Sequence, residues 1–305
     1  LGEFIDFFLE AWMPMRDLAA RKYLAGARID DALKVCVELE EKDILTTVSY
    51  WDRREDSIQD ILRENHQILN RIEANGLDSY LSFNLSALRV GEGLQTRILE
   101  ALVQAGQDRR LLIHLDAMGY GSAQKNWDVL ESIVKKGNLM GGTLPARWNR
   151  SMQDALRLGR QNVRLRLVKG NQFDPLEKNG KVFSQKQFRQ RYLKLVDCLK
   201  GRSATVAVAT HDYALACESL SRLQGASTPC ELELRYQVSS SRLVKWAQNR
   251  EIPVRFYVPY GTPHFLDQRF HPRDRVQGRA TDLKLLKTGL QNCSLSKMSE
   301  PLFWR

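Results

Sequence analysis

Several things are scarce in these 305 residues, and each scarcity removes a class of protein. No apolar run approaches the ~18 consecutive residues a spanning helix needs, so an integral membrane protein is not expected. Lys plus Arg (46) outnumber Asp plus Glu (36), yet the surplus forms no basic block. Its densest tract (Arg269, Arg273, Arg275, Arg279, Lys284, Lys287) is thinned by Asp274 and Asp282. No zinc-finger, ribonucleoprotein or GxxG pattern accompanies that tract. The excess reads as a solvated basic surface rather than a nucleic-acid site, and it leaves an anionic substrate or an acidic carrier open. Cys36, Cys198, Cys217, Cys230 and Cys293 are odd in number, widely spaced and without a CxxC, so reduced buried thiols are expected rather than a disulfide framework. The histidines lack HxxxH or HxH spacing, which gives no support to a metal site. His114 and Asp116 share a strand face and read as a hydrogen-bonded pair. GxSxG, GxGxxG and the P-loop pattern are absent too. Glu3 and Asp6 interrupt the first apolar stretch and no basic segment precedes it, so it does not read as a signal peptide. A cytoplasmic setting is expected.

What is present is the material of a globular chain, with 43% hydrophobic and 27% charged residues. After a helical stretch from Phe4 to Leu39, broken at Pro14, short apolar or β-branched runs alternate with longer amphipathic tracts. The runs are Leu45–Tyr50, Ser79–Leu85, Leu111–Leu115, Leu139–Leu144, Val163–Val168, Ala204–Ala209, Glu231–Leu234 and Val254–Val258. Helix-length tracts such as Ser57–Ala74, Gln187–Leu199 and Ala214–Leu223 separate them. Strands joined by helical crossovers make a parallel sheet, and eight of them close into a (β/α)8 TIM-type barrel. The expected plan is an N-terminal helical segment over 1–42, the α/β barrel over 43–290 and a tail over 291–305. An open doubly wound sheet is the alternative, and it usually carries a glycine-rich first turn.

A barrel places its chemistry at the C-terminal ends of its strands. Polar residues do gather there: Asn84 after run two, Asp116 after run three, Arg166 with Lys169 and Gly170 at run five. Thr210 and His211 follow run six, Glu233 lies in run seven, and Tyr257 in run eight. Each also has a plain reading. Thr210-His211 could be a helix N-cap, Tyr257 a core residue, and Arg166 with Lys169 a solvated strand end.

At these residues the chain resembles the flavin-dependent proline dehydrogenases, in particular their short single-domain bacterial form. Val163-Arg-Leu-Arg-Leu-Val-Lys-Gly170 is similar to the family's R-L-V-K-G-A-Y segment, Ala209-Thr-His-Asp212 to A-T-H-[ND], and Arg255-Phe-Tyr-Val-Pro-Tyr-Gly261 to R-[VI]-Y-V-P-Y-G. Weaker echoes lie at Ser82–Leu88, His114–Ala117 and Lys22–Lys42. The resemblance implies a distorted barrel holding FAD, and oxidation of a secondary or cyclic amine to an imine by hydride transfer to the flavin. It implies cofactor contacts at Arg166, Lys169, Gly170, Thr210, His211 and Lys186. It puts Asp116 and Tyr257 on the substrate side, together with Asn84, Gln268 and Arg269.

The departures carry as much information. Asn84 stands where the family has a lysine, and Phe265, Gln268 and Arg269 stand for its tyrosine and paired arginines. Pro145 and Glu233 replace glutamines of flavin-contacting and neighbouring strands, and Gln172-Phe173 replaces an aromatic pair. The lysine and two arginines form the family's seat for the proline carboxylate, and only Arg269 remains. Free L-proline is therefore expected to be a poor substrate. An amide, ester or carrier-bound thioester, or a different small amine, is expected instead. The second reading is a barrel that has lost its flavin and acts as a binding or scaffold protein, or as an acid–base enzyme.

Overall fold

The computed structural model describes residues 24–262, apart from 54, 118, 119, 138, 160 and 171–183. Eight parallel strands close into one barrel in sequence order: β1 (Leu45–Trp51), β2 (Ser79–Phe83), β3 (Ile113–Leu115), β4 (Met140–Pro145), β5 (Val163–Val168), β6 (Val206–Ala209), β7 (Cys230–Arg235) and β8 (Val254–Gly261). β8 returns to β1 in register from Leu45↔Arg255 to Trp51↔Gly261, which seals the ring. The fold is thus the (β/α)8 barrel that the alternation predicts.

Helices α1 (Ile29–Glu40), α2 (Ile58–Ala74), α3 (Glu92–Gln107), α4 (Tyr120–Lys135), α5 (Ser151–Leu158), α6 (Gln185–Cys198), α7 (Tyr213–Gln224) and α8 (Ser241–Gln248) accompany the strands. Their starts are written locally. Ser57 caps α2 by accepting from Asp60 N at 3.2 Å, while the Asp60 carboxylate accepts from Ser57 N at 3.1 Å. Ser184 and Gln187 build the same reciprocal box at α6. Helical spacing then buries Ile61, Asn65, Ile68, Leu69 and Ile72 on one face of α2, and Phe188, Tyr192, Leu195 and Val196 on one face of α6. Before α1 the chain pairs with β8, Ala25 N donating to Pro259 O at 2.8 Å, and α1 packs on β1 and β8. No described helix is long and apolar enough to cross a membrane. Cys36 is buried, whereas Cys198, Cys217 and Cys230 are only half-buried; all four are unbridged.

Two layers of different character follow from the period-two alternation of the strands. Outward residues such as Val163, Leu165 and Leu167 on β5, or Leu232 and Leu234 on β7, form the apolar layer under the helices. Inward residues are largely polar: Thr47 and Ser49 on β1, Ser82 on β2, His114 on β3, Thr143 on β4, Arg164 and Arg166 on β5, Glu231 and Glu233 on β7, Arg255 and Tyr257 on β8. Branched aliphatics usually fill such an interior. Here charge fills it, which costs desolvation unless every ion is paired.

Candidate active site at the barrel mouth

The pairing is close to complete. From the C-terminal mouth inward, the Asp116 carboxylate accepts from Arg166 Nη1 at 2.8 Å, Arg166 Nη2 meets Glu233 at 2.6 Å, and Glu233 accepts from Arg164 Nη2 at 2.7 Å. Arg164 then binds Glu231, which accepts from Arg255 Nε at 3.2 Å. Arg255 closes the series by donating to Thr46 O at 2.6 Å and lying 3.8 Å over the Tyr80 ring. Three carboxylates and three guanidiniums alternate across the barrel, and the exposed Asp78 lies 3.7 Å from Arg255 at the far end. Burial works against ionised Glu233, but Arg166 and Arg164 outweigh it and hold the carboxyl at about 2.

His114 lies within this series without charge. Burial lowers its pKa well below the ordinary 6.5, and Arg166, Arg164 and Arg255 push in the same direction. Its neighbours also choose its tautomer. Thr143 Oγ1 donates to Leu115 O at 3.1 Å, so it accepts from His114 Nε2–H at 2.9 Å, while Nδ1 accepts from Arg164 Nη1 at 3.2 Å. His114 and Asp116 therefore do not pair with each other, contrary to the expectation from their shared strand face. Gly141 makes the arrangement possible, since a Cβ there would land on His114 Nδ1. Gly141→Ala is expected to reduce stability by about 1–3 kcal/mol through overpacking, as measured by denaturant unfolding.

Asp116 is the chemical centre of the mouth. It lies just beyond β3, accepting from Ser82 Oγ at 2.9 Å as well as from Arg166, and its other oxygen accepts from Tyr257 Oη at 3.2 Å. Trp51 Nε1 donates to the same Tyr257 oxygen at 3.1 Å. Burial raises the Asp116 pKa, while Arg166 and Ser82 hold it back. A fixed carboxylate of this kind can stabilise positive charge that develops on a nearby nitrogen. Beside it lies a cavity of about 20 Å³ between Asp116, Asn126, Trp127, Thr143 and Trp148, with room for about one water.

The other anticipated residues divide. Lys169 Nζ lies 5.2 Å over the Phe188 ring, and Gly170 takes φ +83 where a Cβ would press on Pro145 at 2.7 Å. Thr210 Oγ1 accepts from Asp212 N at 3.2 Å, and Asp212 itself caps α7 by accepting from Leu215 N at 3.0 Å. His211 Nδ1 meets Ser240 Oγ at 2.9 Å and its Nε2 accepts from Arg235 N at 3.0 Å. That ring is partly wrapped and stands beside Arg235, which together lower its pKa. Asn84 caps a 3-10 turn (Leu85–Leu88), its side-chain oxygen accepting from Ser86 N at 3.0 Å. Lys186 is exposed in the first turn of α6. Phe265, Gln268, Arg269, Gln172 and Phe173 lie outside the described residues. Ser82, Trp51 and the carboxylate–guanidinium pairing were not anticipated; their signal is the inward face of each strand. Among the described residues no His, Cys, Asp and Glu cluster could hold a metal ion.

A closed (β/α)8 barrel with its polar groups gathered at the C-terminal mouth is the architecture of barrel enzymes. No family model matches the chain. In sequence, however, it is 24% identical over 257 residues to proline dehydrogenase 1 of Bacillus subtilis strain 168, covering 81% of this chain and 84% of that protein. The corresponding protein of B. subtilis subsp. natto is 23% identical over the same length. Proline utilization A from Bdellovibrio bacteriovorus, inactivated by N-propargylglycine, superposes with a TM-score of 0.71 at 16% identity over 92% of this chain. Proline utilization A from Corynebacterium freiburgense gives 0.65 at 17% identity over 96%. The chain spans 33% of each of those two proteins, and at such identities they show the fold alone. The solved structures share the barrel, and the sequence relatives, which are oxidoreductases, make the chain similar to proline dehydrogenases over most of its length.

Proposed function

We propose that the chain is a flavoprotein oxidoreductase that oxidises a secondary or cyclic amine to an imine, with a substrate other than free L-proline. The observation that carries the substrate reading is the state of the strand-two end. Asn84 stands there in place of a cation and commits its oxygen to the Ser86 amide, and the neighbouring Arg89 is tied to Asp52 at 2.8 Å. A carboxylate approaching this side meets no uncommitted charge from either residue. An amide, an ester or a carrier-bound thioester removes the need for one, as does a different small amine held by Asn84 and Gln268 as neutral partners. By the resemblance, Arg269, outside the described residues, would be the remaining cation of the seat.

A flavin fits the opposite side of the mouth. The inward positions that end β4, β5 and β6 are Pro145, Val168 and Ala209, with Ala207 below, so this wall is low. The β7–β8–β1 side carries Glu233, Arg235, Tyr257 and Trp51 and is tall. Arg166 and Lys169 would be the flavin's cationic contacts, and Gly170 would keep the backbone close. FAD would supply a two-electron acceptor for the C–H bond beside the amine nitrogen, while that nitrogen gives up its proton. The chain's own part is to hold the amine near Asp116 and Tyr257, to stabilise charge developing on its nitrogen, and to keep water from the imine.

One observation favours the flavin-free alternative: Thr210 and His211 already have partners within the protein. Purified protein mixed with FAD separates the two readings. Retained yellow colour after gel filtration supports the flavoprotein, and a colourless protein supports the alternative. Anaerobic bleaching by L-prolinamide or proline methyl ester is then expected to exceed that by L-proline roughly hundredfold, since two lost charge-assisted contacts are worth about 3 kcal/mol or more. Equal bleaching by free proline overturns the substrate assignment.

A further inference from the structure

The alternation of charge at Arg166 bears on more than stability. Arg166 reaches the mouth from β5 and is touched by two carboxylates, the partly buried Asp116 at 2.8 Å and the buried Glu233 at 2.6 Å. Glu233 is shared with Arg164, which is shared in turn with Glu231. Within the barrel interior Asp116, Glu233 and Glu231 match Arg166, Arg164 and Arg255 in number, and the exposed Asp78 lies 3.7 Å from Arg255 at the far end. A neutral residue at position 233 would raise the local charge at Arg166 and Arg164 by one, a surplus on the mouth side of the series.

Reduction of a flavin makes that surplus consequential. Two electrons arrive with either one proton or two. With one, the ring keeps a negative charge along its N1–C2 carbonyl edge; with two, it is neutral. A surplus cation favours the first outcome, and a balanced neighbourhood favours the second. We propose that Glu233 sets the charge of the flavin seat, cancelling Arg166 so that the reduced cofactor is held neutral and doubly protonated. The inference rests on the flavoprotein reading above. Glu233 acts through Arg166, so it is a positioning and charge-setting residue rather than a catalytic one.

The test needs no turnover. Midpoint potentials of the FAD-loaded protein, measured against a reference dye from neutral to alkaline pH, count the protons taken up with each electron pair. Two protons per pair are expected for the natural protein. Glu233→Gln keeps the size and the ability to accept from both arginines, and it is expected to change the count to one. Sulfite is a second probe: its lone pair forms a bond to flavin N5 and pushes an electron pair onto the N1–C2 edge. Its affinity is expected to rise in Glu233→Gln roughly tenfold to thousandfold, the range for one adjacent charge. Each tenfold stabilisation of the reduced form raises the two-electron potential by ~30 mV.

If Glu233→Gln does not fold, the proton count of the natural protein decides alone. One proton per pair there overturns the proposal, as do an unchanged count and unchanged sulfite affinity in a folded Glu233→Gln. A chain that takes up no FAD overturns the flavoprotein reading, and this inference falls with it; flavin bound with the wrong proton count overturns this inference only.

Discussion

Arg164→Met is expected to destabilise the fold by about 3–5 kcal/mol, the cost of breaking a buried ion pair from one side. The substitution preserves bulk but leaves Glu231 and Glu233 short of a partner, removes the donor to His114 Nδ1, and withdraws the cation that lies 4.8 Å over Tyr80. Urea unfolding at neutral pH measures the loss. Its pH dependence identifies the cause. In the natural protein Glu233 is held at about 2, below the ordinary 4.5, so its contribution is complete above about 4.5 and disappears as pH falls toward 2. Without Arg164 the carboxyl rises, and the folded variant takes up a proton that the natural protein refuses. The stability gap between the two should therefore narrow with acidification. A gap independent of pH would mean that lost packing, rather than unpaired charge, sets the effect.

Asp116→Asn is expected to slow amine oxidation by roughly 10²–10³-fold while leaving fold and flavin colour in place, a magnitude typical of removing one aimed electrostatic contact. The amide keeps the shape and can still accept from Ser82 or Tyr257, but it no longer offers charge to a nitrogen that becomes positive. The measurement is anaerobic flavin bleaching with the fastest amine of the panel. Tyr257→Phe should have a smaller effect, since it removes one hydrogen bond to Asp116 and leaves the carboxylate charged. A rate for Asp116→Asn within a few-fold of the natural protein would remove Asp116 from the chemistry.

Much of the framework was legible in the residues because crossover strands and amphipathic helices have different periods. The run Val163–Val168 is the observed β5 without change, and the helix tracts differ mainly at their ends. The discrepancies are local. Run two stops at Phe83 because Asn84 turns its side chain to cap the next residues. Run three starts only at Ile113, because Arg110 takes φ +58 and Leu111 N still bonds back to Gly106 O at 2.8 Å. Run eight continues to Gly261, since Pro259 gives up a donor and still allows pairing with β1. The site was legible as positions and not as partners. Arg164 and Arg166, like Glu231 and Glu233, sit two apart on a strand, so each pair must share a face. Nothing in the alternation says that β5 and β7 reach each other across the interior, over a separation of 67 residues. Glu233 is legible as a departure from the family's glutamine, and the fold makes it the shared partner of Arg164 and Arg166.

The ionic series inside the barrel also constrains how this sequence can drift. A substitution at Arg164, Arg166, Glu231, Glu233 or Arg255 alters the charge balance of its neighbours, so single replacements meet a barrier that matched pairs avoid. Arg164→Met combined with Glu231→Leu should recover most of the stability lost by Arg164→Met alone, because the double change removes one ion of each sign. Descendants of this chain should therefore exchange these residues in opposite-sign couples, leaving a record of correlated inheritance that links β5 and β7, two strands that never pair directly.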